Sequence, residues 1–321
     1  MKILFVISRL EKPSSKFRVL AYLPWLRKNG FQCDVMEASK GFINRLLLPF
    51  KSLSYDVCFI QKKLLNFFEL KALRACVPKI IFDYDDAILF KEDGSPNDGS
   101  RRNFIHTLEM ADLVIAGNPY LGGLASPYHG RVLILPTPVD TERILPKPFE
   151  CSSVPVIGWI GTDSTFQYFV REEKHWQRIT QIERVKFRVI SSSLRKLGLD
   201  FEFCRWDAEQ EAEQLKGMDI GLMPLPDNAW TKGKCAFKVL QYQCAGVPAI
   251  ASRVGFNESV IEHGKTGFLI DDHFSWEEAV YTLVHDRKLY ETIARQARMD
   301  VENKYSLCHL QSVFLKTLQT L

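Results

Sequence analysis

Short apolar runs alternate with longer stretches in which apolar residues return every three or four positions, and the pattern persists along most of the chain. In the first half it predicts strands over 3–7, 32–37, 57–61, 79–83, 113–116 and 132–135, with helices over 18–29, closed by Gly30, and over 101–110. A proline-rich link through Pro136, Pro138, Pro146, Pro148 and Pro155 separates this series from a second and is the expected hinge. The second series predicts strands over 156–159, 186–191, 202–205, 220–225, 249–252 and 267–269, with helices between them and over 276–285 and 289–303. A last amphipathic helix, 307–321, carries Leu310, Val313, Phe314 and Leu318 on one face. Strand–helix alternation of this kind argues for doubly wound α/β domains with parallel sheets: 1–150, 151–303, and 304–321 as a terminal helix.

Composition adds room for two cores, since 321 residues at 46% apolar content supply both. Charge is uneven: residues 1–150 hold 21 Lys and Arg against 16 Asp and Glu, the remainder 21 against 22. That excess is too mild for a nucleic-acid face, but suits anionic lipid headgroups or phosphorylated acceptors. The eight cysteines include no C-x-x-C pair and read as buried free thiols. The histidines form no H-x-x-x-H or His/Cys cluster, so no zinc site is expected. The chain opens on a strand rather than a signal peptide, and no apolar run approaches a membrane span. A cytoplasmic protein is therefore expected, at the inner face of a membrane if 41–53 lies on lipid through Phe42, Ile43, Leu46, Leu47, Leu48 and Phe50 beside Arg45 and Lys51. The alternative for 41–53 is a helix packed on its sheet.

The most informative stretch is 219–270. Its opening run is apolar, as in a strand buried on both faces; it ends in the loop 226–233, and a helix follows with Lys234 and Lys238 at its entrance. Ligands of parallel sheets lie beyond the carboxyl ends of strands, where helix N-termini offer unpaired N–H groups, and two lysines there point to an anion. The frame Phe237-Lys238-x-Leu240-x-Tyr242-x-x-Ala245-Gly246-x-Pro248, followed by Gly255-x-x-Glu258 and His263-Gly264-x-Thr266-Gly267-Phe268-Leu269, resembles the donor-binding segment of family 4 GT-B glycosyltransferases. The resemblance implies two facing Rossmann-like domains and transfer of a sugar from a nucleotide diphosphate to a hydroxyl acceptor, with retained configuration, no metal and no further cofactor. It also implies a terminal helix crossing back onto the first domain. Partners would be a nucleotide-sugar and a glycan or lipid-linked acceptor, in cell-envelope or surface polysaccharide synthesis. The family's E-x7-E pair falls here on Gly233 and Gln241; the amide can still bond a ribose hydroxyl but carries no charge.

On the donor side the resemblance assigns Gly161 and Thr162, in the turn after the strand at 156–159, to the diphosphate. Thr162 and Tyr168 stand where the family places an arginine and a lysine, so Lys234 and Lys238 are the expected substitutes. Ser191 and Trp206 follow strands where the family cradles the base; stacking on the base and core packing are both open for Trp206. Glu258 reads as a structural cap or a sugar contact. On the acceptor side stand Arg18, in a loop lacking G-x-G-x-x-G, and Asn118.

Asp83-Tyr84-Asp85-Asp86 ends a strand at the edge where chemistry is expected, and its carboxylates need a metal, cations or helix N–H groups nearby. Asp85 or Asp86 would bind or deprotonate an acceptor hydroxyl, or brace Arg18; the alternative is helix capping by Asp86. The pattern also matches the D-x-D metal motif of GT-A enzymes, against which the GT-B-like second half argues. A rival reading is a non-catalytic GT-B-like subunit that binds nucleotide or glycan, favoured by the altered E-x7-E.

Overall fold

The computed structural model describes residues 1–38, 42–194 and 196–321, and within 42–46 the backbone alone. The chain divides into two compact units: unit 1 holds Met1–Pro138, Asn228–Cys235 and Leu307–Leu321, and unit 2 holds Val139–Asp227 and Ala236–Ser306.

Unit 1 is built on six parallel strands, β1 (Lys2–Ile7), β2 (Gln32–Glu37), β3 (Val57–Gln61), β4 (Lys79–Tyr84), β5 (Leu113–Ala116) and β6 (Val132–Ile134), in the order β2-β1-β3-β4-β5-β6. The order reverses between β1 and β3, the switch point at which doubly wound sheets bind ligands. Helices α1 (Pro13–Arg18), α2 (Leu23–Lys28), α3 (Phe42–Ser52), α4 (Phe67–Cys76), α5 (Asp98–Met110) and α6 (Pro119–Ala125) connect the strands. The strands read as continuous apolar runs because both faces are covered: Ile3, Phe5, Phe59 and Ile81 enter one core, and Leu4, Cys58, Ile80 and Phe82 the other. On the first of these faces Tyr22 and Phe59 each meet Phe314 edge-on.

Unit 2 repeats the plan with β7 (Val156–Ile160), β8 (Lys186–Ser191), β9 (Glu202–Arg205), β10 (Ile220–Met223), β11 (Ala249–Ser252) and β12 (Phe268–Ile270), ordered β12-β11-β10-β7-β8-β9 and parallel throughout. Its switch point lies between β7 and β10. Its helices are α7 (Asp163–Arg171), α8 (Glu173–Ile182), α9 (Glu211–Lys216), α10 (Phe237–Cys244), α11 (Asn257–Val260), α12 (Trp276–His285) and α13 (Arg287–Lys304); α14 (Leu307–Gln319) belongs to unit 1.

The expected helix 18–29 is instead α1, a 3-10 turn at Leu20–Tyr22, and α2. Pro24 lacks an N–H for a preceding turn, so the helix restarts there. The helix expected from 101 begins at Asp98. The part of the 41–53 reading that rests on Gly41, Phe42, Ile43, Arg45 and Leu46 falls outside the described side chains. Of the rest, Leu48 is buried, while Phe50 and Leu53 are 67% and 63% exposed.

Candidate active site

In unit 1 the carboxyl ends of β1, β3 and β4 gather charge. Arg18 ends α1 with its side chain buried: its Nε donates to Asp83 Oδ2 at 2.9 Å and a terminal nitrogen bonds Asp83 Oδ1. Its other terminal nitrogen donates to the Leu135 carbonyl at 3.0 Å and Thr137 Oγ1 at 3.2 Å. Burial pushes the Asp83 carboxyl above its ordinary value, against the pull of Arg18.

Asp85 and Asp86 are met from two sides. Lys62 follows β3 in the left-handed region (φ 58°), a strained position for a side-chain residue, and its N–H bonds the Asp83 carbonyl at 2.7 Å. Its ammonium pairs with Asp86 and lies 3.4 Å from Asp85 Oδ1. Lys234 Nζ reaches Asp86 Oδ1 at 2.8 Å and lies 4.4 Å from the centre of the Trp230 ring. Burial alone would raise the Asp86 carboxyl, but Lys62 and Lys234 outweigh it and hold the group below its ordinary value. Asp86 therefore takes two ammonium partners and caps no helix. Asp85 Oδ1 is buried without a hydrogen bond, as are Ser15 Oγ and both polar ends of the Gln61 amide.

The loop Asn228–Cys235 completes this cluster. Asn118 caps α6 by accepting from the Leu121 N–H at 2.8 Å, and its amide donates to the Lys234 carbonyl at 3.0 Å. Cys235 Sγ donates to the Asp85 carbonyl at 3.2 Å, and burial pushes its thiol up to about 12. Gly233 packs so closely that an added Cβ would lie 2.5 Å from Ala87 Cβ and 2.7 Å from Ala87 N. The position where the resemblance puts a glutamate thus has no room for any side chain.

In unit 2, Gly161 follows the end of β7, and a Cβ there would sit 2.4 Å from the Trp159 ring and 2.8 Å from Lys238 Cε. Lys238 leaves the first turn of α10, passes along Trp159 with Nζ 5.5 Å from the ring centre, and approaches Thr165 Oγ1 at 3.5 Å. Thr162 precedes α7, whose N-terminus takes no side-chain cap, so leading N–H groups open beside the Gly161 turn. Tyr242 ties the switch point together: its hydroxyl accepts from the Ile160 N–H at 3.0 Å and donates to the Leu222 carbonyl at 3.1 Å. Gln241 is buried on α10. Ser191, at the end of β8, is buried with its hydroxyl unpartnered, and its carbonyl accepts from the Trp206 N–H at 2.9 Å. The Trp206 indole packs partly on the core and donates to Glu211 at 2.9 Å. Glu258 is exposed and caps nothing: Phe256 precedes α11 and no side chain closes it.

The structure thus brings Gly161, Thr162 and Lys238 together in unit 2, and Arg18, Asn118, Asp85, Asp86 and Lys234 together in unit 1. Lys234, paired with Lys238 in the sequence reading, belongs to unit 1 and Lys238 to unit 2. That reading missed Lys62 and the Arg18–Asp83 pair, although the run Gln61-Lys62-Lys63 at a predicted strand end was a usable signal. Among the described residues no group of three His, Cys, Asp or Glu side chains could hold a metal ion; Arg18, Lys62 and Lys234 supply the positive charge around the carboxylates.

Residues 155–286 match a family profile described as glycosyl transferases group 1. No curated protein matches the chain. Among solved structures it is similar to HepE of Anabaena in complex with UDP and glucose, at 14% identity, full coverage of both chains and a TM-score of 0.74. It is also similar to sucrose-phosphate synthase of Thermosynechococcus elongatus, at 13% identity, 99% and 98% coverage and a TM-score of 0.78. An α-glucosyltransferase in complex with UDP and a DNA 13-mer containing an HMU base aligns at 12% identity, 98% coverage of each chain and a TM-score of 0.68. Two six-stranded parallel α/β units match the GT-B glycosyltransferase structures.

Proposed function

From the premise that residues 155–286 form a group 1 glycosyltransferase segment within a GT-B chain, we propose that the protein transfers a sugar from a nucleotide diphosphate to a hydroxyl acceptor. The observation that carries this is Lys238 at the Gly161 turn beside the uncapped start of α7, an arrangement suited to a diphosphate. UDP-glucose is the first donor to test, since HepE was crystallised with it.

In this reading Gly161, Thr162 and Lys238 hold the diphosphate, Gln241 the ribose, and Ser191 with Trp206 the base. The sugar C1–phosphate oxygen bond breaks, the C1–acceptor oxygen bond forms, and the hydroxyl proton passes to Asp85, whose Oδ1 accepts no hydrogen bond and lies 3.4 Å from the Lys62 ammonium. Lys238 and the α7 N–H groups stabilise the charge that grows on the leaving diphosphate, with no metal required. Asp86 is kept ionised by Lys62 and Lys234, while Arg18 and Asn118 shape the acceptor side by fixing Asp83 and the loop Asn228–Cys235. Retention of configuration is part of the proposal. So is an acceptor that is a glycan or a lipid-linked molecule of the cell envelope, glycosylated at the cytoplasmic membrane face. Leu47, Phe50, Leu53 and Phe68 stand exposed with Lys51 and Lys71 in α3, α4 and the residue after α3, which supports peripheral lipid contact. Among the described residues no helix is long and apolar enough to cross a membrane.

The test is a thermal-shift screen with UDP-, GDP-, ADP- and dTDP-sugars, followed by transfer assays on wild type and Lys238→Ala. One nucleotide class should stabilise the protein, and Lys238→Ala should lower kcat/KM at least about tenfold, the loss of one charged contact to the leaving group. Unchanged turnover in the variant removes the assigned role. Gly233, closed off by Ala87 where the resemblance has a glutamate, favours a second reading as a binding subunit; nucleotide binding without turnover on any acceptor would select it.

A further inference from the structure

Asp86 is met by two ammonium groups that are held by different means. Lys62 owes its place to a strained backbone just after β3. Lys234 has no such constraint: its N–H on the Thr231 carbonyl at 2.9 Å and the Asn118 amide on its own carbonyl fix the main chain and leave the side-chain torsions to settle. The Lys234 and Asp86 side chains are 20% and 17% exposed, and an ion pair that water reaches returns less than the rotamer entropy lost in holding a lysine still. The pair alone therefore does not keep the ammonium on Asp86.

Trp230 supplies the rest. Its ring centre lies 4.4 Å from Lys234 Nζ, inside the roughly 6 Å at which the negative face of an indole attracts a cation. The ring is itself fixed: the Trp230 N–H donates to Asn228 Oδ1 at 3.0 Å, the Thr231 N–H donates to the same oxygen at 2.9 Å, and the indole packs against the core cluster that contains Ala87 and Cys235. The 3-10 turn at Thr231–Gly233 then returns position 234 to the ring. We infer that Trp230 is a positioning residue, whose ring holds the Lys234 ammonium against Asp86 and so keeps Asp86 an anion beside Asp85. This rests on the glycosyltransferase reading for what the anion serves, and on the geometry of unit 1 for the contact. Asp86 also faces Lys62, which it shares with Asp85, and the Cys235 thiol, which burial pushes up to about 12 and so keeps neutral; Arg18 is engaged by Asp83. A change at Trp230 thus reaches Asp86 through Lys234.

The test is a carbon-13 titration of the Asp86 carboxyl in the full chain labelled at aspartate, with Asp86→Asn to assign the signal. Wild type should titrate below the ordinary aspartate value of about 4. Trp230→Phe keeps an aromatic face and should stay within about 0.3 pH units of wild type, whereas Trp230→Leu should raise the midpoint by about one pH unit, the low end of what an adjacent opposite charge contributes. In a Lys234→Met background the midpoint should already be high, and Trp230→Leu should add nothing to it. A tetrafluorinated tryptophan placed at 230 keeps the ring's shape and removes its negative face, so it should act as leucine does, and it reads the charge effect even if Trp230→Leu fails to fold. Either change leaving the midpoint at the wild-type value, or a rise of equal size in the Lys234→Met background, overturns the proposal. In transfer assays the acid limb of kcat should move up with the Asp86 midpoint in Trp230→Leu while the donor KM stays put. Absence of turnover in every protein, wild type included, would count against the glycosyltransferase reading alone, because the titration reads Asp86 without it.

Discussion

Arg18→Met tests whether the Arg18–Asp83 pair holds unit 1 together. Both side chains are about 2% exposed, and the guanidinium makes contacts to Asp83, Leu135 and Thr137. Removing it strands a carboxylate with no water and orphans the Leu135 carbonyl. Breaking one member of a buried pair costs about 3–5 kcal/mol. Asp83→Leu alone strands the guanidinium and should cost about the same. In Arg18→Met/Asp83→Leu no charge remains, so the cost falls to about 1–3 kcal/mol for the unmet carbonyl. The two singles therefore exceed the double, with a coupling of about 3 kcal/mol or more. Native-state hydrogen exchange at the amides of β3 and β4 reads unit 1 separately from unit 2; a loss near 4 kcal/mol accelerates globally opening amides about a thousandfold. Single variants that each cost under about 1 kcal/mol and simply add would refute the reasoning, since that is how a solvated surface pair behaves.

Gly161→Ala drives a methyl into the buried Trp159 ring and the Lys238 stem, so we expect a loss of about 1–3 kcal/mol in stability together with a raised donor KM; an unchanged KM would dissociate the turn from the donor. Gly233→Glu restores the residue implied by the family resemblance yet collides with the Ala87 backbone, so it should lower Tm without raising turnover, as calorimetry and a transfer assay would show. Asp86 has a lowered carboxyl pKa in the folded chain, so its contribution is complete above the ordinary aspartate value of about 4 and is lost as pH falls further. Melting curves of wild type and Asp86→Asn should therefore keep their separation above about pH 4 and converge as pH falls below it, and a gap that widens in acid would be the wrong sign.

Much of the architecture was legible because the strands are short and apolar at nearly every position. Their alternation with helices specifies parallel sheets, and the structure has six strands in each. Asp85 and Asp86 were visible as carboxylates at a strand end, and Gly161 as a turn after another. Their partners were not, since Lys62 owes its reach to one left-handed residue and Arg18 meets Asp83 across 65 positions of sequence. Lys234 shows the limit most directly. Four residues from Lys238 and on the same approach to α10, it reads as part of one phosphate clamp, but Gly233 against Ala87 and Asn118 on the Lys234 carbonyl draw its segment to Asp86. Periodicity describes how a segment packs on its own sheet and is silent on a loop that leaves it.

The assignment of Asn228–Cys235 to unit 1 makes the polypeptide pass from one unit to the other after Pro138, Asp227, Cys235 and Ser306. A single proteolytic nick at any of these places would leave two pieces that both contribute to unit 1. For anyone grafting unit 2 of a relative onto unit 1 of this chain, the sensible exchange is discontinuous: the short insert carrying Gly233 and Lys234 should stay with Ala87, Asp86 and Asn118, because its complement is written in the opposite half of the gene product.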